Sequence, residues 1–211
     1  MSTGAPAGER TYLPAASYDW LLPLYDVVSR LFGSEAAHRQ LLDQADVAPG
    51  HHVLDIGCGT GNLTLLIKHA HPQTEVVGLD PDPKALVRAR RKAEEQGAAV
   101  QLDRGFADEL PYADASFDRV FSAFMLHHLA LDVKEKTLRE VRRVLRSGGR
   151  FYALDFEGHG SGIIAHLFHR AHLEDQHRMP ALIRDAGFAD VAELTPRDTI
   201  FGRVAYWRAS G

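Results

Sequence analysis

The sequence predicts an α/β fold, a mostly parallel sheet with helices on both faces. Three observations carry that reading. From residue 51 short apolar runs alternate with amphipathic stretches, the pattern of strands joined by helical crossovers. The first run passes straight into a loop with glycines at 57, 59 and 61. The second ends on Asp80, where open α/β sheets place acidic ligand contacts.

In chain order, residues 1–14 are small, polar and proline-bearing and predict a flexible N-terminal arm. "YDWLLPLYDVVSRLFG" sets Trp20, Leu21, Leu24, Val27, Val28 and Leu31 at helical spacing around Pro23. "EAAHRQLLDQADV" follows as a helix closed by Pro49-Gly50, so residues 15–48 read as N-terminal cap helices. The strand runs are "HVLDI", "EVVGLD", "AVQLD", "FDRVFS" and "GRFYALDF". Between the first two, Leu63, Leu66, Ile67 and Ala70 form one helix face. Asp82-Pro83 is an N-cap and first-turn pair for a helix lined by Leu86, Ala89 and Ala93. Leu138, Val141 and Leu145 line another, which ends in basic residues and glycine. The basic clusters on these helices read as solvated outer faces rather than a nucleic-acid patch.

After Phe156, "GHGSGIIAHLFHRAHLEDQHR" predicts a glycine-rich loop into a helix, and "PALIRDAGF" a short helix ended by Gly187. "VAELT" and "IFGRVAYWRA" predict two strands around a Pro196-Arg197-Asp198 turn. No repeat or second domain interrupts the chain. Residues 15–211 form one domain, with 50–156 as its ligand-binding core and 157–211 supplying substrate-side helices and the final strands.

The 211 residues are 45% hydrophobic and 25% charged, ordinary for a soluble domain with a sizeable core. A net charge of -4 gives no broad electrostatic footprint for nucleic acid or an anionic membrane. Cys58 is the single cysteine, so no intrachain disulfide forms. No apolar run reaches the roughly 18 residues of a membrane span, and "MSTGAPAGER" lacks the regions of a signal peptide. The expectation is a cytoplasmic protein with a small-molecule partner; a homodimer is compatible with the sequence.

The loop "GCGTG" stands between a strand and a helix whose N-terminus offers unpaired N–H groups. A dinucleotide fingerprint is spaced G-x-G-x-x-G, whereas Gly57, Gly59 and Gly61 are spaced G-x-G-x-G. Asp55, two residues ahead, would repel a pyrophosphate and suit a cationic ammonium or sulfonium. Asp80 is placed to accept both hydroxyls of a ribose, a role common to NAD-binding and adenosyl-binding sheets.

"VLDIGCGTG", "VVGLDPDPKAL", "GFADELPYADASFDRVFSAFMLHHL" and "TLREVRRVLRSGGRFYALDF" resemble successive motifs of the class I S-adenosylmethionine-dependent methyltransferases, in the small single-domain branch that includes ubiquinone/menaquinone C-methyltransferase-like proteins. The resemblance covers residues 50–156, and more loosely "YDVVSRLFG" and the C-terminal "AGF" with its strand pair. It implies a Rossmann-like seven-stranded sheet whose last strand is antiparallel, and S-adenosylmethionine as cofactor. It also implies that Asp55, Gly57, Cys58, Gly59 and Gly61 hold the methionine end and that Asp80 and Pro81 meet the ribose. Phe106 and Ala107 would line the adenine, with Ser122 and Tyr25 completing the cofactor shell. Many relatives carry an acidic residue where this sequence has Phe106, so Phe106 packing, the Ala107 backbone or Asp108 would replace that contact. Ser147 stands where relatives often have proline, which alters only a turn.

Methyl transfer from a sulfonium is an in-line displacement, so alignment and exclusion of water matter most. A base enters when the acceptor must lose a proton. His127 and His128, just past "FDRVFS" at the carboxyl edge of the sheet, are the acid-base candidates. His128 is favoured because the resemblance places the end of "LHHL" near the pocket. Tyr18, Trp20 and Phe124 are candidate aromatic walls. His166, His169 and His172 fall at i, i+3, i+6 with His159 and His177 nearby, a spacing that does not converge as an i, i+4 zinc pair does, so no metal is expected. Cys58 fits the loop by its small size. The rivals are a non-catalytic binder of the same cofactor, an NAD(P)-dependent oxidoreductase and, less favoured for want of basic charge or an appended domain, an RNA methyltransferase.

Overall fold

Strand β1 (His52–Ile56) is the centre from which the sheet grows in the computed structural model, which describes residues 34–157, 178–199 and 202–211. Its Val53, Leu54 and Ile56 are wholly buried, as expected of a parallel strand covered on both faces. β2 (Glu75–Asp80) and β4 (Phe117–Ala123) flank it in parallel. β3 (Gln101–Arg104) extends the sheet beyond β2 and β5 (Leu145–Glu157) beyond β4. β7 (Gly202–Ser210) runs antiparallel between β5 and the edge strand β6 (Asp190–Thr199), giving the order β3-β2-β1-β4-β5-β7-β6. The chain reverses its direction of winding between β1 and β4, and open α/β sheets bind ligands outside the carboxyl ends of the strands at such a point.

The helices are α1 (Ser34–Asp43), α2 (Asn62–Ala70), α3 (Pro83–Glu95), α4 (Leu131–Val144) and α5 (Met179–Asp185). Successive strand residues serve opposite faces. Val53 packs with Ala37 and Leu41 of α1 and Leu63 and Ile67 of α2, while Leu54 packs with Leu138 and Val141 of α4 and Ile183 of α5. Asp82 caps α3 by accepting the Lys84 N–H at 2.8 Å, and Pro83 takes its first turn, as the sequence predicts. Among the described residues no helix is long and apolar enough to cross a membrane.

Four local expectations are corrected. α1 ends at Asp43, not near residue 47, because Asp46 takes a left-handed φ of 45° and the Arg119 guanidinium draws in the carbonyls of Ala45 and Asp46. On α2, Leu65 is buried, on the side where Ala89 of α3 comes close to Gly61, and Ala70, the last residue of the helix, is exposed. Leu145 begins β5 rather than closing a helix, although it stays buried. Pro196-Arg197-Asp198 is no turn: β6 continues through it with a register shift between Leu194 and Arg197. A proline is tolerated there because β6 is an edge strand and the irregularity absorbs its missing N–H. The helical stretch expected in "YDWLLPLYDVVSRLFG", residues 18–33, and the histidines at 159, 166, 169, 172 and 177 lie outside the described residues.

Candidate functional site

The loop after β1 is tied to β2 by its own backbone. The N–H groups of Gly57 and Cys58 both donate to the Leu79 carbonyl, at 2.8 and 3.0 Å, and the Gly61 N–H closes a turn onto the Cys58 carbonyl at 2.9 Å. Gly57 and Gly59 have φ of 67° and 54°, in the left-handed region that an L side chain rarely enters. A Cβ on Gly57 would overlap the Met125 side chain, whereas around Gly59 nothing lies within 4 Å among the described residues. So one glycine lets the next strand's turn press on the loop, and the other leaves its mouth open. Cys58 is buried against Gly78, and burial, followed by Asp55 and Asp80, raises its thiol well above the usual range. Its small size, not nucleophilicity, is what the loop uses.

Two carboxylates stand around this loop. The Asp80 side chain accepts the Gly59 N–H at 2.8 Å through one oxygen and the Asp82 N–H at 2.9 Å through the other, so it holds the loop and the following turn together. Each oxygen retains a further lone pair for a hydroxyl partner. Asp55 lies beneath the loop rather than at its mouth, 1% exposed, and accepts the Thr64 hydroxyl at 2.6 Å. Burial pushes its pKa up to about 7, opposed by hydrogen bonds from Thr64 and reinforced by Asp80. Burial likewise raises Asp80.

The sign of the Asp55 contribution follows. Its folded pKa exceeds the unfolded value of about 3.9, so between these the native state holds the extra proton and stability falls as pH rises toward 7. Asp55→Asn, which cannot ionise and can still accept from Thr64, is expected to unfold at a higher temperature than the parent at pH 8. Its advantage, bounded by about 4 kcal/mol, should vanish by about pH 4. Thermal unfolding of both proteins across that range checks this; an advantage constant with pH would assign Asp55 no titration.

Beyond the loop, the Gly105 N–H donates to the Asp80 carbonyl at 3.3 Å, which brings Phe106, Ala107 and Asp108 beside the second carboxylate. Phe106 is half-buried, and its carbonyl accepts the Glu109 N–H at 3.2 Å. Pro81, next to Asp80, accepts the Arg104 Nε–H on its carbonyl at 3.2 Å. Ser122 departs from expectation: it sits at the carboxyl end of β4 but is wholly buried, its hydroxyl without a hydrogen-bond partner among the described residues. By the alternation along β4 its side chain shares a face with the buried Val120. Tyr25 lies outside the described residues.

The turn after β4 sets the two histidines apart. Phe124 has a φ of 53°, a conformation costing about 1–3 kcal/mol for a non-glycine residue and often kept at functional sites. Its N–H donates to Leu154 on β5, and the chain folds back so that His127 stands over Asp155. Asp155, which the sequence reading treats only as part of a strand, is wholly buried. Its carboxylate accepts the His127 N–H at 2.9 Å, the Phe156 N–H at 2.9 Å and the His127 ring Nδ1 at 2.5 Å. Burial would raise its pKa, but the imidazole and these donors outweigh it and hold the carboxyl below its usual range. His128, favoured by the resemblance, has no carboxylate hydrogen-bond partner among the described residues; its ring lies 3.9 Å from that of His127, and burial, then His127, lowers its pKa to about 4 against an opposing influence of Asp155. The structure therefore joins His127, not His128, to an acid.

Comparison with known proteins bears on the family and the fold. Residues 53–149 match the family model described as a methyltransferase domain. A demethylmenaquinone methyltransferase of Thermus thermophilus is 40% identical over 139 residues, covering 64% of this chain and 62% of that protein. One of Deinococcus radiodurans is 34% identical over 165 residues, covering 77% and 66%. The chain thus spans less than two thirds of the length of either relative. A structure titled as a SAM-dependent methyltransferase from Aquifex aeolicus superposes with a TM-score of 0.64 at 22% identity, covering 86% of this chain and 92% of that one, a likeness of fold. With its sheet order, its G-x-G-x-G loop bonded to Asp80 and these matches, the chain belongs to the class I S-adenosylmethionine-dependent methyltransferases.

Proposed function

We propose that this protein transfers a methyl group from S-adenosylmethionine to a small-molecule acceptor by in-line displacement. The observation that carries the reading is the pair of carboxylates, Asp55 buried beneath the glycine loop and Asp80 bonded to it, both raised above the usual carboxylate range by burial. Such a site suits a ligand that brings positive charge and ribose hydroxyls, and it disfavours the pyrophosphate of a dinucleotide. When bound, S-adenosylmethionine supplies a methyl group on a cationic sulfur. Gly57, Cys58, Gly59 and Gly61 would follow its amino-acid end, with Asp55 supporting the ammonium from beneath. Asp80 and Pro81 would meet the ribose, and Phe106 and Ala107 the adenine. Tyr25 would complete the cofactor shell, and the segments 10–45 and 156–180 would recognise the acceptor. A small-molecule acceptor is in keeping with relatives named for demethylmenaquinone.

A calorimetric titration separates this reading from a nucleotide-dependent oxidoreductase. S-adenosylhomocysteine should bind and NADH should not; tighter binding of NADH would reverse the reading. Labelled donor offered with a panel of small acceptors, and products read by mass spectrometry, separates an enzyme from a non-catalytic binder.

A further inference from the structure

Building on the methyl-transfer reading, the arrangement at the end of β4 says more about the chemistry than the cofactor loop does. A buried carboxylate needs several hydrogen bonds, and it can draw them from donors on separate residues. Asp155 instead binds the same residue twice, through the backbone N–H of His127 and through Nδ1 of its ring. Two bonds from one oxygen pair fix the position of the residue and the rotation of its imidazole together. The left-handed Phe124 is the backbone strain that makes this approach geometrically available. No described residue takes Nε2 of His127 as a hydrogen-bond partner. The Met125 side chain of the same turn presses on Gly57, which sets the dyad beside the glycine loop.

These features divide the work of the ring. With its Nδ1 proton given to Asp155, a neutral imidazole presents an Nε2 lone pair and no proton there. Among the described residues the His128 ring at 3.9 Å and the Phe156 ring at 5.7 Å lie against this imidazole, and Asp155 holds its Nδ1 side. The carboxylate steadies the ring when it becomes cationic, whereas His128 resists protonation because burial and the adjacent ring both oppose its charge. The His128 N–H is occupied in closing the turn onto the Met125 carbonyl at 3.0 Å.

We propose that His127 Nε2 is the proton acceptor of this methyltransferase and that Asp155 is its positioning residue, so that the methyl acceptor is one that must give up a proton, as a phenol or enol does. As the acceptor's attacking atom bonds to the methyl carbon, the carbon–sulfur bond breaks with its electron pair going to sulfur. The acceptor's proton passes to Nε2, leaving methylated product, neutral thioether and an imidazolium paired with Asp155. That imidazolium returns its proton to water. An acceptor already ionised in solution has no need of the dyad.

The first test needs no substrate. Nitrogen-15 NMR of the ligand-free protein, with His127 assigned by the loss of its signals in His127→Gln, should show the ring protonated at Nδ1 and bare at Nε2 in its neutral form. Asp155→Asn should lose that tautomer preference; if this variant does not fold, the wild-type tautomer and His127→Gln still decide. The second test measures S-adenosylhomocysteine affinity and turnover on phenols of graded acidity. His127→Gln and Asp155→Asn should bind the thioether within about threefold of wild type while kcat on weakly acidic phenols falls about 100-fold or more, the usual worth of a general base. The loss should shrink on nitrophenols, which arrive ionised. A proton on Nε2 in the wild-type neutral ring overturns the proposal. So does an equal loss on ionised and protonated phenols, the absence of phenol turnover, or a His128→Gln variant that alone abolishes it. If wild type fails to bind the thioether at all, the cofactor reading falls first; if it binds and the tautomer is wrong, only the dyad falls.

Discussion

Gly57→Ala is expected to lower cofactor affinity more than 100-fold and to destabilise the fold by about 2–5 kcal/mol. Two costs combine at this position. An L residue held at a φ of 67° pays about 1–2 kcal/mol over glycine. The added methyl also falls on the Met125 side chain, and forced overlap in a packed site costs a further 1–3 kcal/mol or moves the neighbour. If Met125 moves, the turn bearing His127 moves with it, and turnover falls along with affinity. Gly59→Ala is the informative contrast. Its φ of 54° carries a similar backbone cost, but no described atom lies within 4 Å, so the methyl enters open space. The ligand-free protein should therefore lose only about 1–2 kcal/mol while thioether binding is largely abolished. Thermal unfolding and calorimetry on both variants separate the two effects; a Gly59→Ala protein that binds normally would show that the loop does not cradle the ligand.

The parts of the fold that read directly from the sequence are those whose cause is local. β1 and β2 emerge at their observed bounds because burial on both faces demands an unbroken apolar run, and a glycine loop or an Asp-Pro pair ends each one. Asp82 capping α3 needs only its own neighbours. Pro196 misleads for the opposite reason: its local chemistry says turn, but its place on the outermost strand, set by pairing with β7, lets the strand run on. Ser122 is legible as a residue at the sheet edge, while the parity that buries its side chain depends on register with Ile56 and Ala153. The dyad is the clearest case. A lone carboxylate inside the apolar run "YALDF" is a visible signal that something must satisfy it. Its partner lies 28 residues earlier and reaches it only through the left-handed turn at Phe124, which no spacing rule anticipates.

Asp80→Ala should weaken S-adenosylhomocysteine binding about 100-fold, and the reason lies in what the carboxylate does before any ligand arrives. It accepts the N–H of Gly59 and of Asp82, so its removal leaves two backbone donors of a partly buried loop unpaired, at a cost of about 1–3 kcal/mol each where water cannot replace it. A ligand that then bonds its hydroxyls to the same oxygens loses charge-assisted bonds of about 1.5–3 kcal/mol, and each 1.4 kcal/mol is a factor of ten. The fall in affinity alone does not tell loop positioning from direct contact. A double-mutant cycle does, with the ligand as one of the mutated partners. If Asp80 touches the ribose, deleting a ribose hydroxyl from the thioether should cost wild type much more affinity than it costs Asp80→Ala. If Asp80 only braces the loop, the two losses should add. Asp82→Ala supplies the comparison for stability, because it removes the α3 cap, worth about 1 kcal/mol, while leaving both Asp80 oxygens in place. Additive losses would move the ribose contact elsewhere and leave Asp80 as the clasp between β2 and the loop that follows β1.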